Sequence, residues 1–427
     1  MSMPEDPKER KMWLGAEVRD VARRGFGFAT GLLGFCAVGA MIGGVVFSPP
    51  VHAQSDNQPQ ESRQAPHREY VGDETCAACH QSQADTYRLT AHARTSTPAS
   101  RDTIRGDFSP GSNTLRTANP DLYFQMEAGE KGFTQTGIIR TSPTQGITRT
   151  ERFDIVVGSG RKGQTYLFWD GNSLYQLPVS YWGEQNRWVN SPGYIDGTAD
   201  FDRPILRRCL ECHATTFQSA APPENAYVKS SLVLGIACEK CHGPGSEHVA
   251  RYRSAHPPQS TADAAIVNPA KLSRERRTDV CALCHAGPGD PITPPLSFTP
   301  GEVLAEHLVF APQPEGAHID VHASQVQLLA RSRCFQSSPT MSCGTCHNVH
   351  RPERDLAAFA TKCLSCHQVE SCRQFPKKGH QIADKCVVCH MPLEQTDQIV
   401  IAGKTGSDLQ PRVRNHQIAI YPDAHLP

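Results

Sequence analysis

The apolar and polar positions of the chain change their pattern four times along its length. Charged residues crowd positions 5–24 and end at Arg23 and Arg24, and an apolar stretch then runs from Gly25 to Phe47. Pro49, Pro50 and the small-residue run Val51-His52-Ala53 follow. This is the order of a secretory signal, with cleavage expected after Ala53. An uncleaved N-terminal anchor is the competing reading, since the stretch approaches the length of a span. Gly31, Gly34, Gly39, Gly43 and Gly44 weaken it in that role. Residues 54–69 are polar and read as a flexible linker.

Beyond the linker, residues 76–92 read as a helix within a first segment, 70–104. Strand patterns dominate 105–205. Phe153-Asp-Ile-Val-Val157 alternates, and Tyr166–Trp169 and Ser173–Val179 flank Asp170-Gly171-Asn172, a hairpin signal. Eight aromatic residues, from Tyr166 to Tyr194, fall in this stretch. They suit a small core of its own, with a docking face or pocket wall as the alternative. Residues 206–392 carry short apolar runs broken by Pro and Gly, and 393–427 form a polar tail. The expected fold is mainly α with much irregular structure, plus one β-rich insert.

Composition changes this picture in one respect. The 427 residues include 33 Pro and 33 Gly but only 7% aromatics, a thin supply for an ordinary core of this size. They also include 17 Cys, many for a chain without a use for thiol chemistry.

Fourteen of these cysteines form seven Cys-x-x-Cys pairs, and a histidine follows each pair at once. The sets are Cys76/Cys79/His80, Cys209/Cys212/His213, Cys238/Cys241/His242, Cys281/Cys284/His285, Cys343/Cys346/His347, Cys363/Cys366/His367 and Cys386/Cys389/His390. Two thiols one helical turn apart can each add to a vinyl group of one haem, and the next residue then points its imidazole at the iron. Structural zinc needs four Cys/His ligands but not a histidine at one fixed offset in every pair. The pattern therefore predicts seven covalently attached c-type haems. Haem surface would also supply what the sparse side chains do not.

The charge points the same way. Without residues 1–53, 37 basic and 38 acidic residues remain. Two propionates per haem would make the loaded protein acidic, which excludes nucleic acid as a partner. Redox proteins are the expected partners, with membrane association only through an uncleaved N-terminus. The expected location is periplasmic or otherwise extracytoplasmic.

Further axial ligands can be counted. Eleven histidines lie outside the motifs after residue 53, against only Met126, Met341 and Met391. Most irons should therefore have two histidine ligands, and potentials should be low. His92, His248, His322, His350 and His416 are the candidate distal ligands. His350 and His248 lie too close to their own motif histidines to cross to the far face of that haem, so each should serve a neighbouring one. His307, His318 and His380 are weaker candidates, and His67, His256 and His425 read as non-ligands. Cys334 and Cys372, left over in an exported chain, are expected to form a disulfide.

At these residues the chain resembles the cytochrome c-552/554-type multihaem cytochromes, a family that includes the tetrahaem electron acceptor of hydroxylamine oxidoreductase. The resemblance rests on Val71–His80 with Thr90-Ala-His92, on Leu177–Trp182 with Ser191–Tyr194, and on Cys238–Val249. Ser332–Phe335, Cys386–Pro392 and Asn415–Ile418 also match, so the likeness spans about residues 70–420. It implies an extracytoplasmic electron carrier with closely packed haems, and it supports His92, His248, His322 and His416 as distal ligands. The departure is seven motifs where the tetrahaem member has four. The expected function is electron transfer, an electron carrier rather than a catalyst. The alternatives are an oxidoreductase acting on a small nitrogen or sulfur compound at one five-coordinate haem, and an anchoring subunit of a larger respiratory complex. No Cys-x-x-Cys-Lys motif is present, which counts against the first of these.

Overall fold

The structure, a computed structural model, describes residues 69–422 apart from 131, 260–264, 288, 315 and 404–407. The expected signal and the linker before residue 69 lie outside the described residues, as do His67 and His425. Ten strands fall between Ser96 and Asn190. They are β1 (Ser96–Pro98), β2 (Thr114–Arg116), β3 (Leu122–Gly129), β4 (Gly132–Arg140), β5 (Gly146–Arg152), β6 (Ile155–Val157), β7 (Gly163–Asp170), β8 (Ser173–Gln176), β9 (Val179–Trp182) and β10 (Arg187–Asn190).

Strands β2-β3-β4-β5 make one antiparallel sheet. A second sheet runs β1-β6-β7-β9-β10, with β8 paired to β7. The hairpin read from Asp170-Gly171-Asn172 is the β7–β8 turn, where Asp170 pairs with Ser173. Period-two alternation builds the core between the sheets: Leu122, Phe124 and Met126 of β3 are buried, as are Tyr166 and Phe168 of β7. Phe153 stacks on Tyr166 at 4.4 Å between ring centres, and Trp188 packs against Phe108, Phe153, Tyr166 and Tyr181. The fully buried Gln135 bonds β4 to β9: its amide donates to Val179 O, and its carbonyl accepts from Val179 N. Most of the aromatic residues thus serve a core of the insert itself.

The other face of β7 builds toward the cysteine motifs. Leu167 and Leu174 pack with Ile205, Leu210, Ala214, Phe217 and Tyr227. Leu210 sits inside the second motif, so this cluster docks the helix Arg207–His213 on the sheet. The Tyr227 hydroxyl donates to Ile205 O at 2.7 Å and closes the same corner.

Helices elsewhere are short, and strands claim a share comparable with theirs, so the expected predominance of α-structure does not emerge. The longest helix among the described residues, Asp73–Tyr87, stops before the predicted end at residue 92. A turn follows, because the His92 segment folds back onto the third motif. Ile236 N donates to His92 O, and Gly235 makes the approach possible: its φ is +73°, and a Cβ there would lie 2.4 Å from Ala93 O. No described helix is long and apolar enough to cross a membrane.

Candidate haem sites

The motifs fold as their spacing demands. Helices Arg207–His213, Cys238–His242, Arg274–His285 and Cys386–His390 each end on the motif histidine, and Cys343–Cys346 ends one residue before it. In the first motif the helix continues, but His80 leaves helical geometry (φ −111°, ψ 41°). One turn sets both sulfurs on one face, and the break frees the imidazole to turn away from the axis.

Four motif histidines face a histidine from elsewhere in the chain. The ring centres of His80 and His248 are 6.3 Å apart, those of His242 and His350 6.0 Å, those of His285 and His92 6.1 Å, and those of His347 and His416 6.3 Å. The charge of His322 bears on a fifth, His213. Each pair joins different parts of the chain. His248 follows motif three yet faces motif one, and His350 follows motif five yet faces motif three.

Burial is the first cause that lowers the pKa of His213, His242, His285, His322 and His347, and it lowers His92 and His416 to about 4. Neighbouring histidines add to the effect at every one of these except His285, where the Gln325 side chain opposes it. These rings are therefore neutral at pH 7, the form that binds metal. Hydrogen bonds fix which nitrogen is free. His242 Nδ1 lies 2.8 Å from Val267 O, His390 Nδ1 2.7 Å from Ala419 O and His416 Nδ1 3.1 Å from Arg414 O. A carbonyl only accepts, so Nδ1 carries the proton and Nε2 presents its lone pair.

The remaining histidines divide plainly. His307 is held by Thr293, Ser297 and Glu302, with Nε2 3.2 Å from the carboxylate, and faces no motif histidine. His318 and His380 are exposed, near Asp397 and Glu370 respectively. His256 is exposed. Among the described residues no ring lies against His367 or His390.

Neighbouring motifs meet through their cysteines. Cys76 and Cys238 lie within hydrogen-bonding reach, as do Cys212 and Cys284, and Cys281 and Cys343. Cys363 lies near both Cys346 and Cys386. Motifs one and three are thus adjacent, and motifs two, four, five, six and seven follow one another. The expected disulfide is absent. Cys334 sits by Cys346 and Cys363, whereas Cys372 sits by Cys386 and Cys389, and both are free. Being the two left over says nothing about distance, and the chain brings each beside a different motif.

Exposure separates the attachment cysteines, which the sequence presents as seven equal pairs. Cys79, Cys209 and Cys366 are exposed, whereas the other eleven motif cysteines are half-buried. The close packing that the resemblance implies therefore does not enclose every predicted attachment position. Cys79 and Cys366 depart from it furthest, because the histidines after them, His80 and His367, are exposed as well. The reason is where the helix stops. Cys366 lies beyond the end of the helix Leu356–Leu364, and Cys79 comes just before the break at His80. The first cysteine of each of these pairs, Cys76 or Cys363, sits on the helix and turns toward the next motif. The second is left at the solvent side.

Acidic residues that the sequence reading passed over clamp the motifs together. Glu239, inside the third motif and only 2% exposed, accepts from Val71 N and Gly72 N at 2.9 Å and from Gly245 N at 2.8 Å. It thereby holds the start of the first motif's helix. Asp73 of that helix accepts in return from Cys238 N at 2.9 Å. Inside the second motif, buried Glu211 accepts from Leu296 N at 2.8 Å and pairs with Arg208 at 2.6 Å. Arg208 also donates to Leu283 O of the fourth motif at 2.9 Å. The sequence signal available was a carboxylate between the paired cysteines, which for Glu239 also falls in the first turn of its helix.

Residues 182–243 match the family model described as cytochrome c554 and c-prime. No curated protein sequence matches the chain. Among solved structures, the outer cell wall cytochrome OcwA aligns over 82% of this chain and 79% of its own, with 16% identity and a TM-score of 0.51. An undecahaem cytochrome from the S-layer of Carboxydothermus ferrireducens aligns over 79% of this chain and 54% of its own, with 15% identity and a TM-score of 0.35. The motif cysteines gathered side by side, the neutral histidines, the matched family segment and the fold shared with OcwA make this chain a multihaem c-type cytochrome.

Proposed function

We propose that the protein carries electrons between extracytoplasmic redox partners over seven covalently held haems, most of them with two histidine ligands. The observation that carries this reading is the spacing of the paired imidazoles. A metal–imidazole bond of about 2 Å, with about 1.1 Å from the nitrogen to the ring centre, puts two rings on one metal about 6.2 Å apart. The four measured separations run from 6.0 to 6.3 Å. The chain's donor sets therefore fit haem iron, with His80, His213, His242, His285, His347, His367 and His390 as proximal ligands. His248, His322, His350, His92 and His416 serve as the distal ligands of the first, second, third, fourth and fifth motifs.

Bound haem supplies one-electron redox chemistry at these positions. The residues around it fix the rest. Burial keeps the His92, His322 and His416 rings neutral, backbone carbonyls hold the tautomers of His242, His390 and His416, and Glu239, Asp73, Glu211 and Arg208 lock adjacent motifs in place. Two histidine ligands, with no methionine needed, favour low potentials. The adjacency of the motifs supports a continuous row, which suits transport over a distance better than a single reaction. The exposed sulfurs Cys79 and Cys366 suit haems whose edges reach solvent, where a partner can exchange electrons. An extracytoplasmic location accords with the outer cell wall setting of OcwA.

A second reading has one observation in its favour. His367 and His390 face no imidazole among the described residues, which leaves room for a five-coordinate iron at the sixth or seventh motif and for chemistry on a small nitrogen or sulfur compound. One pair of measurements separates the two. Pyridine haemochrome analysis with mass spectrometry should give seven haems per chain, and four or fewer overturns the carrier reading as stated. Electron paramagnetic resonance of the oxidised protein should show at least five low-spin irons. A high-spin signal that shifts on adding nitric oxide would favour the enzyme.

A further inference from the structure

We propose that His318, Asp320 and Asp397 bind one divalent cation of the zinc class, which staples the loop carrying His322 to the C-terminal strap carrying His416. The three side chains bring their donor atoms within 4.8 Å of one another. They come from two segments far apart in sequence, and neither segment belongs to a Cys-x-x-Cys-His motif.

Asp320 is the fixed element. It is 9% exposed, and its carboxylate is aimed by three donors: His322 N at 2.7 Å and Thr396 Oγ1 at 2.7 Å to Oδ1, and Asp397 N at 2.6 Å to Oδ2. Both lone pairs of Oδ1 are engaged, and Oδ2 keeps its second one free for a metal. Among the described residues no lysine or arginine forms an ion pair with it, so a nearly buried negative charge has hydrogen-bond donors and the nearby His322 ring for compensation.

His318 Nε2 lies 3.8 Å from Asp397 Oδ2. That is too long for a hydrogen bond. It is close to the separation of about 3.4 Å between two ligands of a tetrahedral ion at about 2.0–2.1 Å. Both side chains are exposed and can close the small remaining gap. Their exposure also leaves water free to complete the shell. One imidazole with two carboxylates selects zinc over calcium or magnesium, which prefer all-oxygen shells.

The position gives the ion a structural task. Ile319, Val321 and Leu328 pack with Val413, so the loop and the strap already share an apolar contact. The ribbon Leu393–Gln395 with Arg412–Arg414 carries the strap toward His416. A cation beside this contact would hold two segments that each deliver a histidine to the haem row.

The test uses the full-length haem-loaded protein after chelator treatment. Zinc is added by equilibrium dialysis and counted by elemental mass spectrometry against iron. Wild type should bind one zinc that His318→Ala and Asp397→Asn each weaken at least about tenfold. His307→Ala should leave it intact. Both test residues are exposed, so the visible spectrum should be unchanged and will report a variant that misfolds. Equal zinc uptake by wild type and both variants would overturn the site and mark the metal as an adventitious ion only. Stronger binding of calcium than of zinc would overturn the assigned class.

Discussion

Glu239→Ala removes the carboxylate on which the first motif is seated. Three backbone N–H groups lose their acceptor: Val71, Gly72 and Gly245. A hydrogen bond to a charged group contributes about 1.5–3 kcal/mol, and a buried donor left unsatisfied costs about 1–3 kcal/mol. Val71 and Gly72 lie toward solvent and can be rehydrated, but Gly245 is buried and cannot. The net local loss should be about 3–5 kcal/mol, less than three full bonds would suggest. Because a protein with several bound cofactors need not unfold in one step, the loss is best read locally. Amide hydrogen exchange on the haem-loaded protein should quicken about 150- to 5000-fold across the helix Asp73–Tyr87. Strands β3 to β7 should keep their protection. Glu239→Gln, which retains one acceptor oxygen, should lie between wild type and the alanine variant. Unchanged exchange in the helix would refute the clamp, and equal acceleration in the sheets would show a global effect instead.

Other substitutions test other parts of the argument. His350→Ala should leave the haem count intact and move one haem of the set from low to high spin by electron paramagnetic resonance, whereas His307→Ala should change nothing, because Glu302 and two hydroxyls already hold that ring. Trp188→Ala should cost about 3–5 kcal/mol in denaturant unfolding followed by intrinsic fluorescence, since it removes a nearly buried indole touching four aromatic rings. Peptide mapping after thiol labelling under denaturing, non-reducing conditions should find both Cys334 and Cys372 modified, and an unlabelled pair would restore the disulfide.

What the sequence revealed follows how local each interaction is. The Cys-x-x-Cys-His sets are complete within five residues, so their chemistry could be read directly. Their setting could not: nothing within a motif says that Cys79 and Cys366 end up exposed while Cys212 and Cys284 turn toward each other. The β7–β8 hairpin was legible because it too is local, since Gly171 takes the positive φ the turn needs (+54°). Distal histidines were legible only as a set. Counting shows that histidine is in surplus, but nothing near His92 in the chain says that it faces His285 rather than another motif. Spacing could only exclude partners: it ruled out His347 for His350, and the structure puts His350 opposite His242. The disulfide failed because it was inferred by elimination, without any term for distance.

The clamps expose the deeper limit. Glu239 and Glu211 each occupy one of the two free positions of their motifs, where sequence reading treats the residues as spacers. Both are buried, and both accept from backbone groups of another segment. Glu239 also meets the N-terminal end of its own short helix, where negative charge is favoured. It can also reach across to the next motif, which the neighbouring cysteines bring within contact. On the proposed reading, the same few residues would specify both where a haem is attached and which motif lies beside it. In a segment with only eight aromatic residues between 206 and 392, such polar contacts take over the role that aromatic packing has between the two sheets. That division predicts where the fold should fail first: charge-neutral substitutions inside the motifs should loosen the haem row while leaving the aromatic core of the insert intact.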